Sequence, residues 1–173
     1  MASSLVVNTD TYTTLAECDA YLSKNHISTD LTLWNALSDG DCDILLRNAA
    51  QLIDSQPLVG LKVLSSQIME FPRIIYTEYS GRFTNSDPIT MSNGDQNWYI
   101  QPVVPDSVKN AQCEIALTMS RGESTRNELQ RNGVKSFSLG KLSESYTGAG
   151  NQLISTEAKR LLKPFTDGGF AIC

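Results

Sequence analysis

The sequence predicts a mainly α fold: a small helical bundle with a projecting β-hairpin and a long irregular loop. Three observations predict it. Two stretches, one running to Asp54 and one from Pro105 to Met119, repeat apolar residues at three- and four-residue intervals, the spacing of a helix with one buried face. Residues 134–146 alternate loosely about a Gly-X turn, the pattern of two paired strands. Between the two helical stretches, Ile74 to Gln101 has no helical period and is rich in Asn, Ser, Thr and Gly. With 173 residues, 40% of them hydrophobic, the chain can bury one sizeable core. A single domain is expected over residues 1–164, followed by a C-terminal tail over 165–173.

Taken in order, Leu5-Val6-Val7 belongs to an extended lead-in that needs a neighbour to order it. Thr14 and Glu17 form a T-x-x-E capping box, and Leu15, Cys18, Tyr21 and Leu22 give the helix it starts a buried face. That helix ends near Lys24 to Ile27. Trp34, in a short helical turn, is expected to plug the bundle. Ser38 and Asp41 repeat the capping signal, after which Cys42, Leu45, Leu46, Ala49, Leu52 and Ile53 keep helical spacing. Asp39, Asp41 and Asp43 suit the positive end of that helix better than a calcium loop, because Leu52 stands where the terminal glutamate ligand would fall.

Pro57 and Gly60 break the helix, and Pro72 holds Phe71 extended. In the central helix, Val108, Ala111, Ile115 and Met119 form the apolar stripe, with Asp106, Lys109, Asn110 and Glu114 away from it. Residues 121–133 are polar and read as a short helix, a flexible loop, or both. The hairpin follows, Gly148-Ala149-Gly150 reads as a hinge, and Ser155 or Thr156 caps a last helix through Ala158, Leu161 and Leu162 that Pro164 stops.

No catalytic, metal or cofactor constellation is present in the sequence, and the chain does not read as an enzyme. The four cysteines lie far apart with no C-x-x-C pair, and His26 is the one histidine, so zinc is not expected. Cys18, Cys42 and Cys113 read as small apolar residues in a reducing compartment. The opening residues do not resemble a charged-then-apolar leader and no apolar run approaches the ~20 residues of a membrane span, so a protein made in the cytosol without a membrane partner is expected. The net charge of −5 argues against wholesale phosphate neutralisation. It is unevenly spread: residues 1–60 carry two Lys/Arg against eight Asp/Glu, and residues 119–173 carry eight against five. This polarity suits head-to-tail self-association or steering, and equally an unevenly charged solvated surface.

Candidate partner contacts are aromatic, apolar and arginine side chains without an evident local role. Tyr76, Tyr79, Phe83 and Trp98 in the long loop read as interface anchors, the alternative being that they fasten the loop to its own core. Arg73 would clamp an acidic group, a partner's or one of this domain's own. Arg121, Arg126 and Arg131, with Phe137 and Tyr146 of the hairpin, are the basic and aromatic residues that a single-stranded-DNA surface would use. Phe165, Phe170 and Ile172 give the tail the character of an arm that inserts into a partner, or of a frayed end.

Several of these features, in order, resemble the small head-tail connector or neck adaptor proteins of tailed phages, a family also known as DnaT-like single-stranded-DNA-binding proteins. The matching pieces are Tyr12-Thr13 with Ala16-Glu17 through Ala20-Tyr21-Leu22, Trp34 before the helix that ends at Asp54, Gly60-Leu61-Lys62 and Phe71-Pro72-Arg73. Val104-Pro105 with Val108-Lys109 and Ala111 through Leu117, Val134-Lys135-Ser136 with Gly140 and Tyr146, and Leu161-Leu162 with Pro164 complete the series. The long Ile74 to Gln101 segment and the tail depart from the pattern. The resemblance implies a virion protein of the phage neck, made in the host cytoplasm and assembled as a ring of twelve copies. That ring would join the portal to the next neck or tail protein and line the channel through which DNA passes without tight binding. The alternative it carries is a single-stranded-DNA-binding module.

Overall fold

The computed structural model describes residues 3–76, 90–93, 96–122, 136–139, 142–145 and 156–166; for residues 76, 90–93, 96–99, 136–139 and 142–145 it describes the backbone alone. The mainly α architecture is present. Helix α1 (Leu15–Asn25) starts at the expected capping box, where Glu17 N–H donates to the Thr14 hydroxyl at 3.1 Å and Thr14 N–H donates to the Glu17 carboxylate at 2.9 Å. His26 is its C-cap residue. The short α2 (Thr32–Asn35) buries Trp34, whose indole N–H donates to Asp19 at 2.9 Å. Helix α3 (Asp39–Asp54) is capped by Ser38, which accepts from Asp41 N–H.

Helix α4 (Asp106–Ser120) is the centre of the bundle and packs on α1, α3 and the C-terminal α5 (Thr156–Leu162). Neighbours on several sides explain why its burial exceeds one stripe. Val108, Ala111 and Ile115 are buried as their spacing predicts, and so are Gln112, Cys113, Glu114, Ala116 and Leu117. Glu114, expected to face away from the core, lies inside it. A 3₁₀ turn (Lys163–Phe165) follows α5 and turns Phe165 into the core, edge-on to Phe71 with ring centroids 5.3 Å apart.

The segment expected to be irregular contains three strands. In the four-stranded antiparallel sheet, ordered β1-β2-β4-β3, β1 (Leu61–Lys62) pairs with β2 (Arg73–Tyr76) and β2 with β4 (Gln96–Ile100), with Ile74 opposite both Leu61 and Ile100. Strand β3 (Thr90–Asn93) closes a hairpin on β4 with Asn93 opposite Gln96. Short strands of this kind have no local period to announce them, because their hydrogen-bond partners are remote in sequence. The hairpin expected over 134–146 is present as β5 (Ser136–Leu139) and β6 (Leu142–Ser145), with Leu139 opposite Leu142.

Gly60 sits at φ 81°, and a Cβ there would lie 2.1 Å from the Ile74 carbonyl oxygen, so the close approach of β1 to β2 demands glycine. The chain end is tied to the same region: Val59 N–H donates to Phe165 O at 2.9 Å, and Thr166 bridges Leu58.

Candidate functional site

Most strong polar side chains of the bundle are used internally. Gln112, fully buried on α4, accepts from Tyr12 N–H at 2.9 Å and donates to the Thr11 hydroxyl at 2.6 Å and to Leu46 O at 2.8 Å, joining the N-terminal segment to α3 and α4. The Tyr12 hydroxyl donates to Asp54 and accepts from the N–H groups of Glu70 (3.1 Å) and Phe71 (3.3 Å). Burial and the adjoining Asp54 carboxylate push the Tyr12 phenol well above its ordinary value. Asp43 receives the Ser3 hydroxyl and Ser4 N–H, each at 2.7 Å, which fastens the start of the chain to α3.

A second polar group joins α1 to α4. The carboxylate of buried Glu114 meets His26 Nε2 at 2.8 Å and accepts from the Tyr21 hydroxyl at 3.0 Å, both at one oxygen. Two hydrogen bonds to one buried oxygen make this a fastening. Among the described residues no group of His, Cys, Asp and Glu is placed to hold a metal ion.

Among the described residues the cations divide into engaged and unengaged. Arg47 pairs with Asp10, Lys62 with Glu70, Lys109 with Glu17, and Arg160 with Glu157. Arg121 donates to Asp30 O at 3.0 Å. Lys24, Lys159 and Lys163 are exposed and have no hydrogen bond or ion pair among the described residues. Lys159 and Lys163 stand four residues apart, Lys159 on α5 and Lys163 in the 3₁₀ turn that continues it, each next in sequence to a buried residue, Ala158 and Leu162.

A family model described as "putative DnaT-like ssDNA binding protein" matches residues 2–173. The chain belongs to this DnaT-like family. Neither the curated proteins nor the solved structures gave a match to it.

In this DnaT-like chain two of the candidate partner contacts, Arg73 and Phe165, face inward. Arg73 is buried because the loop before β1 and the turn before β2 offer its guanidinium a cage of acceptors: Val59 O at 2.8 Å, Gly60 O at 2.6 Å, Leu58 O and Glu70 O at 3.3 Å, and the Glu70 carboxylate. The internal carboxylate is the one that Arg73 clamps. Phe165 is a core residue, held by Phe71. Arg121 is exposed at the C-cap of α4. Tyr76, Trp98 and Phe137 lie in β2, β4 and β5. Tyr79, Phe83, Arg126, Arg131, Tyr146, Phe170 and Ile172 lie outside the described residues.

Sequence reasoning passed over Lys159 and Lys163, whose only signal was i, i+4 spacing on the polar face of a short helix. It also passed over Leu61 of β1 and Leu64 and Ile68 of the segment joining β1 to β2, each more than 60% exposed. That segment is braced from within: Gln67 donates to Met69 O at 2.9 Å and Pro72 O at 3.0 Å, and the Lys62 ammonium donates to Ile68 O at 3.2 Å.

Proposed function

We propose that this DnaT-like protein binds single-stranded DNA. The observation that carries the reading is the family match over residues 2–173, whose description names that activity. Charge sorting supports it. The chain is acidic as a whole, so binding by bulk charge is excluded, and a polyanion would have to approach a face where cations are not already spent on internal carboxylates. Fluorescence titration with an oligonucleotide at low and moderate salt tests the reading. Micromolar binding that weakens steeply with salt is expected, and absence of binding at low salt refutes it.

A second reading, the ring-forming head-to-tail connector of a phage neck, is favoured by Leu61, Leu64 and Ile68. Three exposed apolar side chains on a braced segment suit a protein partner and have no use against a phosphate backbone. In this reading the protein assembles as a ring, of twelve copies by the family resemblance, beneath the portal and above the next neck or tail protein. Mass measurement of the purified protein alone and with its portal tests it: a monomer that ignores the portal refutes it. In neither reading does the protein catalyse a reaction.

A further inference from the structure

We infer that the outer face of α5 and its following 3₁₀ turn, carrying Lys159 and Lys163, is the phosphate-contacting surface for single-stranded DNA. The inference rests on the single-stranded-DNA reading and adds a location to it. Three observations converge. First, an ammonium already paired with a carboxylate gives up that partner on meeting a phosphate, so paired cations contribute little net attraction. Arg47, Lys62, Lys109 and Arg160 are all paired in this way. Second, of the three exposed lysines without a partner among the described residues, two share this face.

Third, the face is rigidly based, because Ala158 and Leu162 are fully buried and α5 packs on the central helix α4. Fixed cations lose less freedom on binding than cations on a loose segment.

Counterion release sets the size of the effect. Each phosphate contact on a single strand contributes ~0.7 to the slope of log K against log salt, so two lysines account for ~1.4 of slope. At about 50 mM salt that is roughly 8-fold in affinity per lysine and roughly 60-fold for the pair. The experiment is fluorescence anisotropy of a dye-labelled oligothymidylate against the full chain between low and moderate salt. Wild type, the Lys159→Gln/Lys163→Gln double variant and the ion-paired control Lys109→Gln are compared, with circular dichroism confirming that each is folded.

The expected result is a slope reduced by ~1.4 and an affinity reduced roughly 60-fold in the double variant, with the control within about twofold of wild type. If wild type binds and the double variant keeps both its affinity and its slope, the contact surface lies elsewhere and single-stranded-DNA binding stands. If the double variant and the control weaken equally, the effect is one of net charge and the assigned face is wrong. If wild type does not bind at all, the functional reading fails and this inference fails with it.

Discussion

Replacing Gln112 by methionine removes three hydrogen bonds from the middle of the molecule while nearly preserving the shape of the side chain. Gln112 is fully buried, and its amide alone accepts the Tyr12 N–H, at 2.9 Å, and gives one proton to Thr11 and another to Leu46 O. The Thr11 hydroxyl retains its bond to Thr13 O at 2.9 Å, so the main penalty is the Tyr12 N–H, left buried without an acceptor. An orphaned buried donor costs about 1–3 kcal/mol, and the weakened acceptors add about 1 kcal/mol, for a total of about 3 kcal/mol. Gln112→Ala should cost about 1–2 kcal/mol more, because the truncated side chain leaves a cavity. For a domain whose whole stability is of order 5–15 kcal/mol these losses are large. Urea denaturation followed by far-ultraviolet circular dichroism measures both. Losses below about 1 kcal/mol in both variants would refute the claim that Gln112 ties the N-terminal segment to the bundle.

Three further outcomes are expected. Gly60→Ala should lose several kcal/mol or fail to fold, since its Cβ would lie 2.1 Å from Ile74 O, whereas Gly122→Ala, at a similar φ of 79° but with nothing within 4 Å, should lose only about 1–2 kcal/mol of backbone strain; equal losses in thermal melts would contradict this. Phe165→Ala should lose about 3–5 kcal/mol in the isolated protein, as expected of a core ring, and a neutral result in urea titration would return Phe165 to the partner-binding tail. Burial raises the Asp43 carboxyl, yet hydrogen bonds from the Ser4 N–H and the Ser3 and Ser4 hydroxyls, with the charge of Arg47, outweigh it and hold the group below its ordinary value. Its stabilisation is therefore present above the ordinary carboxylate range and lost as pH falls through the folded value, so wild type should lose more stability than Asp43→Asn on acidification below about pH 4; parallel pH profiles would show that Asp43 is not the cause.

Helices were legible in the sequence because their causes are local. Thr14 with Glu17 and Ser38 with Asp41 cap α1 and α3 as their spacing requires, and the apolar residues of α3 and α4 fall where a 3.6-residue period puts them. The hairpin of β5 and β6 was equally local. The four-stranded sheet was not, because β2 is completed by a strand more than twenty residues away. One local signal was present there, the Gly94-Asp95 pair that the sequence places between β3 and β4, a Gly-X dipeptide that favours tight hairpin turns.

Side-chain fates that depend on three-dimensional neighbours were the least legible. Arg73 follows a proline in a stretch that looks exposed, and only the fold gathers the carbonyls of Leu58, Val59 and Gly60 around it. Glu114 sits on the polar side of the α4 pattern, but His26 and Tyr21, about ninety positions earlier, make its burial tolerable. The lysines of the α5 face, without a partner among the described residues, were hidden for the converse reason. A sequence shows every lysine as free, and only the structure shows which ones are already paired.

Sedimentation velocity of the full chain with a dye-labelled oligothymidylate, followed at the dye's absorbance, tests single-stranded-DNA binding most directly, because it reports bound strand and protein assembly in the same run. Family membership, with Lys159 and Lys163 lacking a partner among the described residues, predicts that the dye sediments with the protein at low salt and is released as salt rises. A dye boundary that remains at the position of free oligonucleotide at every salt concentration would contradict it.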